Sequence, residues 1–147
     1  GKVILPFTVL RRLDAVLEPT KQQVLDEAKR LGDSPAAEHV LPTKAKADFY
    51  NTSRYTLATI ANDPANIRAN LTDYVNGFSA NVRDIFDRYE FAAQLAKLDE
   101  NDLLYLVLQK FAEVDLHPDR VDNTQMGTIF EELIRRFAEA SNETAGE

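Results

Sequence analysis

The stretch "NDLLYLVLQKFAEVDL", residues 101–116, decides the fold class. Leu103, Leu104, Leu106, Val107, Leu108 and Phe111 cover most of a helix's circumference. A helix that is apolar nearly all round belongs in the centre of a helical domain. The segments on either side keep the same period. After the "HPDR" turn, Thr124 opens an expected final helix with Met126, Ile129, Phe130, Leu133, Ile134 and Phe137 on one face. Glu131–Arg135 and Glu132–Arg136 form four-residue pairs on the other face, each worth on the order of 0.3 kcal/mol.

Upstream, Phe91, Leu95 and Leu98 mark a short helix that stops near Asp99. Val82, Ile85, Phe86 and Tyr89 mark another, opened by Ser79. Ile67, Leu71, Tyr74, Val75 and Phe78 form a stripe capped by "NDP" and closed by Gly77, and Tyr55, Leu57 and Ile60 mark a short helix over 54–61. Phe7, Leu10, Leu13, Val16 and Leu17 form the first helix, ended by Glu18-Pro19-Thr20. Pro6 leaves two readings of its start: a beginning near Pro6, or a longer helix kinked there. Thr20 can cap a second helix, with Val24, Leu25, Ala28 and Leu31 inside and Gly32 as its stop. Residues 33–53 hold two prolines and no sustained period, so they read as a long loop with room for one short helix, pinned by Phe49 and Tyr50. No alternating strand, internal repeat or low-complexity tract interrupts the pattern. The expectation is an all-α single domain of about seven to nine helices and no sheet.

A chain of 147 residues is one domain's length, with 44% hydrophobic and 28% charged residues. No apolar run reaches the roughly 20 residues of a membrane span. The absence of Cys excludes disulfides and thiolate chemistry and fits a reducing cytoplasm. The net charge of −7 is uneven: residues 1–50 carry 8 basic and 7 acidic side chains, residues 101–147 carry 4 and 10. That balance speaks against strong DNA binding by the isolated domain. Phosphate contacts would draw on Arg11, Arg12, Lys21, Lys29, Arg30, Lys44 and Lys46, residues that read first as solvated helix faces.

Residue-level chemistry is sparse. His39 and His117 lie in Pro-containing loops with no second histidine at metal-ligand spacing, and "HPDR" (117–120) reads as a turn whose Asp and Arg satisfy backbone groups and each other. Glu131 and Glu132 are adjacent, and adjacent helical residues diverge by about 100°, so a solvated ion-pair face is preferred to an acid–base pair. Neither G-x-G-x-x-G nor a Walker pattern occurs. The 8 Phe and 5 Tyr fall mostly on apolar stripes, as core. Tyr50 and Tyr55 beside Lys44, Lys46 and Arg54 form a basic–aromatic cluster. Gly127, costing about 1 kcal/mol inside a helix, suggests close approach of another helix such as 101–116.

Three ordered blocks carry a resemblance. "MGTIFEELIRRFAEASNETAGE" (126–147), "VILPFTVLRRLDAVLEPTK" (3–21) and "NGFSANVRDIFDRYEFAAQLAKLDENDLLYLVLQKFAEVDLHPDRV" (76–121) resemble the N-terminal helical domain of the modification (M) subunit of type I restriction–modification enzymes. The resemblance implies that residues 138–147 form a linker toward an absent methyltransferase domain, with Glu147 as the first residue of the S-adenosylmethionine-binding stretch. In that family an N-P-P-F/Y motif holds a flipped-out adenine. Here the nearest dipeptide is Asp63-Pro64, and no Pro-Pro occurs. The implied role is non-catalytic: no cofactor and no catalytic residue in this chain, with adenine-specific, S-adenosylmethionine-dependent methylation in the full-length parent. The implied partners are a specificity (S) subunit, a second M subunit, DNA in the assembled complex and a restriction subunit, with no membrane. Arg11, Arg12, Lys44, Lys46 and Arg54 are the DNA-facing candidates. A freestanding helical protein–protein adaptor is the competing reading, and a small-molecule-binding bundle is a third without a buried polar constellation to support it.

Overall fold

Helical period and turn chemistry divide the chain as the spacing predicts. The computed structural model describes residues 4–129 together with 131, 132 and 135; in them eight α-helices precede a further helical stretch over 123–129, and no strand forms. The first helix, α1 (Ile4–Leu17), carries Pro6 in its first turn, where a missing N–H is tolerated. A 3₁₀ turn, Glu18–Thr20, leads into α2 (Lys21–Leu31). Thr20 does not cap α2: its hydroxyl donates to the Ala45 carbonyl at 3.1 Å instead. Gly32 stops α2 at φ 58, the left-handed region that favours glycine.

Within 33–53 lies α3 (Ala37–Ala45), with Pro42 inside it and Lys46 as a left-handed cap. Phe49 and Tyr50 pack against the core, as expected. The following segment is pinned to the end of α5 (Ile67–Asn76): the Thr52 amide donates to Gly77 O and the Ser79 amide to Tyr50 O, each at 2.9 Å. Gly77 is required here by proximity. A Cβ on it would stand 2.8 Å from Asn51 Oδ1 and from the Ser53 backbone nitrogen. Between these segments, α4 (Leu57–Ala61) opens with a reciprocal capping box of Thr56 and Thr59, and a 3₁₀ turn, Pro64–Asn66, precedes α5. Three helices complete the series: α6 (Ala80–Arg88), α7 (Phe91–Glu100) and α8 (Leu104–Glu113).

A ladder of six rings joins these helices. Phe111 stacks on Phe7 at 5.5 Å, Phe7 meets Phe91 at 5.2 Å, and Phe91 meets Phe86 at 5.2 Å. Phe86 continues to Phe78 at 6.0 Å and Phe78 to Tyr74 at 5.2 Å. Each pair adds about 0.5–1.5 kcal/mol beyond its burial. Among the described residues the aromatics are mostly core, as their spacing predicts, with Tyr105 the exposed exception.

Several expectations are corrected. The most buried helix is α1, with Phe7, Leu10, Arg12, Asp14, Ala15 and Leu17 all buried. The 101–116 segment does pack among helices, with α8 meeting α1, α4, α5 and α7, but it is not covered all round. A turn with Asp102 at φ 57 delays α8 to Leu104, so only Leu104 and Leu108 of that helix are fully buried. Leu103, Tyr105, Leu106 and Val114 remain exposed. The final helical stretch is capped by Asp122 rather than Thr124: Gln125 N donates to Asp122 Oδ1 and Asp122 N to Gln125 Oε1, both at 2.8 Å. Arg135 pairs with Glu132 at 2.6 Å, three residues back, while Arg136 lies outside the described residues. A Cβ on Gly127 meets nothing within 4 Å, so among the described residues no helix approaches it closely.

Candidate nucleic-acid interface

The five basic candidates separate into two groups. Arg11 and Arg12 turn from α1 toward the chain that follows α8. Arg11 donates to Asp14 Oδ2 at 3.0 Å and to Val114 O at 2.7 Å. Arg12 is buried and donates to Leu116 O at 2.8 Å, Val121 O at 2.6 Å and Asn123 Oδ1 at 3.2 Å. A guanidinium with three internal acceptors is a structural clamp, so Arg12 leaves the DNA-facing set. Arg11, with an ion pair and a backbone acceptor, leaves it for the same reason.

Lys44, Lys46 and Arg54 are exposed. Lys44 is at the end of α3, close enough to Glu27 of α2 to help hold that carboxyl low, behind the larger effect of Glu27's hydrogen bond with Arg30. Lys46 caps α3, and Arg54 lies in the segment between α3 and α4. The Arg54 guanidinium sits 4.9 Å above the Tyr55 ring and donates to its hydroxyl at 2.7 Å. It borders an open polar cleft whose walls include Thr52, Asn70, Asp73 and Asn76. Tyr50 and Tyr55 are both half-buried against the core, and Tyr55 is the one that a basic side chain covers.

The other singled-out residues carry local structure. His39 is exposed on α3. His117 Nδ1 accepts from the Asp119 amide at 3.1 Å. Arg120 of the same turn faces Asp115 at 3.8 Å rather than Asp119. Among the described residues no group of three His, Cys, Asp or Glu could hold a metal ion, and no helix is long and apolar enough to cross a membrane. Glu147 and the linker 138–147 lie outside the described residues.

A polar cluster inside the core escaped the sequence reading. Asp14 Oδ1 accepts from the Tyr74 hydroxyl at 2.7 Å and the Leu57 amide at 3.3 Å. Lys21 Nζ lies 5.3 Å over the Tyr74 ring and has no hydrogen-bond partner among the described residues. One signal was available: Asp14 stands four residues after Leu10 and seven after Phe7, on the stripe that faces inward.

Burial lowers the Lys21 ammonium from 10.5 to about 8 against the opposing pull of Asp14 and Asp73. Between pH 8 and 10.5 the unfolded chain therefore binds a proton that the folded chain has released, and stability rises with pH. Tyr74 acts oppositely. Burial first, then Asp14's charge and hydrogen bond, raises its phenol well above 10, so stability falls once pH exceeds 10. Urea midpoints are expected to climb from about pH 8 to 10 and then decline. Lys21→Met is expected to remove the climb and keep the decline. A Lys21→Met curve that parallels the wild type between those pH values would overturn this account.

The comparisons with known proteins place this arrangement in a family. The family model of the HsdM N-terminal domain matches residues 1–111, ending ahead of the 126–147 block. Searches of curated proteins and of solved structures return no significant match. With three quarters of its length matched, the chain belongs to the HsdM N-terminal domain family, the N-terminal part of the M subunits of type I restriction–modification systems.

Proposed function

We propose that this domain is a non-catalytic module of an adenine-specific DNA methyltransferase M subunit, contributing to assembly with the S subunit and a second M subunit and to enclosing DNA. S-adenosylmethionine binding and methyl transfer are assigned to another part of the subunit, and a restriction subunit is a further partner of the assembled system. Family membership supports the setting. The observation that carries the DNA-facing part is the division of the basic residues: Arg11 and Arg12 are consumed internally, while Lys44, Lys46 and Arg54 point outward. A few outward cations suffice for phosphate contact in an assembly whose other surfaces also hold the duplex.

Charge reversal tests this reading. In the assembly of full-length M subunits with S, Lys44→Glu, Lys46→Glu and Arg54→Glu together are expected to weaken DNA binding. Three lost phosphate contacts in each of the two domains reduce the log–log salt slope by about 5.4. Because the three side chains are exposed, the thermal midpoint of the domain should barely move. An unchanged salt slope sinks the assignment.

A further inference from the structure

We infer that residues 114–129 form a latch: hinged at Val114 and closed by Arg12, the segment lifts from α1 as a unit while the core stays folded. At Val114 the chain leaves α8 in an extended conformation, φ −74 and ψ 130. Beyond it, among the described residues, every hydrogen bond that ties 115–129 to the rest of the domain is donated by Arg12, to Leu116 O, Val121 O and Asn123 Oδ1. Arg11, fixed by its ion pair with Asp14, holds the hinge itself through Val114 O. The remaining polar contacts of the segment are its own. Arg120 N and Val121 N donate to His117 O, the Asp119 amide donates to His117 Nδ1, and Asp122 and Gln125 cap each other.

The apolar part of the attachment is separate as well. Leu116 and Met126 are each 5% exposed, yet neither belongs to the cluster that joins Phe7, Leu71, Tyr74 and Phe86. Lifting the segment leaves that cluster together, which is the condition for a local opening easier than global unfolding. Arg12 makes the opening easier still. None of its acceptors is a carboxylate, so the buried guanidinium recovers hydration when the segment lifts. Asn123 begins the last helical stretch. The closed latch therefore fixes the direction in which that stretch leaves the domain, and the open latch releases it. Lys44, Lys46 and Arg54 take no part, so this inference and the DNA-facing reading can fail independently.

The chain has no Cys, so one introduced thiol reports its own exposure. Leu116→Cys and Met126→Cys report the latch, and Val82→Cys, at a buried position on α6, reports the core. In native buffer the two latch thiols are expected to react with an aromatic disulfide reagent at least about 100-fold faster than the core thiol, with a weaker urea dependence. Arg12→Ala should speed both about 100-fold, since every hydrogen bond from a charged donor is lost. Arg12→Lys keeps the charge without the fork and should speed them about tenfold. Ile60→Val, at a fully buried core position, should speed the core thiol about fivefold and leave the latch thiols unchanged, because its contacts survive the lifting. Circular dichroism melts check that each variant folds, and the Ile60→Val comparison decides the matter even where Arg12→Ala does not. Latch thiols that react no faster than the core thiol, that follow Ile60→Val, or that ignore a folded Arg12→Ala overturn the proposal.

Discussion

Asp14→Ala is expected to remove about 3–5 kcal/mol of stability, a large share of the roughly 5–15 kcal/mol that a domain possesses. Asp14 is 8% exposed and its carboxylate serves three donors: the Tyr74 hydroxyl, the Leu57 amide and the Arg11 guanidinium. Alanine leaves a fully buried phenol and a buried backbone N–H without acceptors, each costing about 1–3 kcal/mol. It also removes the nearest opposing charge from Lys21, which already lacks a hydrogen-bond partner among the described residues. Asp14→Asn retains an acceptor for Tyr74 and Leu57 and loses the charge, so about half the effect should return. Urea denaturation followed by circular dichroism distinguishes the pair. Equal, small losses for both variants would show that the carboxylate is incidental.

Gly77→Ala comes next, at about 2–3 kcal/mol, and by a different mechanism. Gly77 has φ −79, a conformation that alanine adopts without strain. The cost arises from space. The new methyl would press at 2.8 Å on Asn51 Oδ1, Ser53 Cβ and Ser53 N. Asn51 cannot yield freely, because its side chain donates to Tyr74 O at 2.8 Å and accepts from the Ser53 amide at 2.7 Å. Gly127→Ala supplies the contrast: the site is helical and open, so the same substitution should stabilise by about 0.5–1 kcal/mol. Thermal midpoints that move in opposite directions support both readings. A neutral Gly77→Ala would mean that the segment through Asn51 and Ser53 is free to retreat.

The helices were legible because their apolar period is a local property. Phe7–Leu10–Leu17 or Ile67–Leu71–Tyr74 announce themselves within one segment, and Gly32 ends α2 by its own backbone freedom. Long-range pairing was not legible. Nothing local to Arg12 distinguishes an outward guanidinium from one that reaches carbonyls 104 and 109 residues away. Two of the five DNA-facing candidates, Arg11 and Arg12, are held by internal acceptors, whereas Lys44, Lys46 and Arg54 are exposed. The burial of the 101–116 segment was overestimated for a related reason. Its richness in leucine measures how much apolar surface exists, not which neighbours remain to cover it, and Asp102's turn determines which leucines face in.

The ring ladder sets an order on folding. Tyr74, Phe78, Phe86 and Phe91 are close in sequence and can associate as soon as that part of the chain exists, since short loops close at little entropic cost. Phe7 has a different history: its ring partners are Phe91 and Phe111, and its neighbours on α1 wait for Tyr74 and Leu116. The apolar face of α1 can be fully enclosed only once Phe91, Phe111 and Leu116 have been made. Contacts of such sequence separation cost more loop-closure entropy than those within the Tyr74–Phe91 part of the ladder.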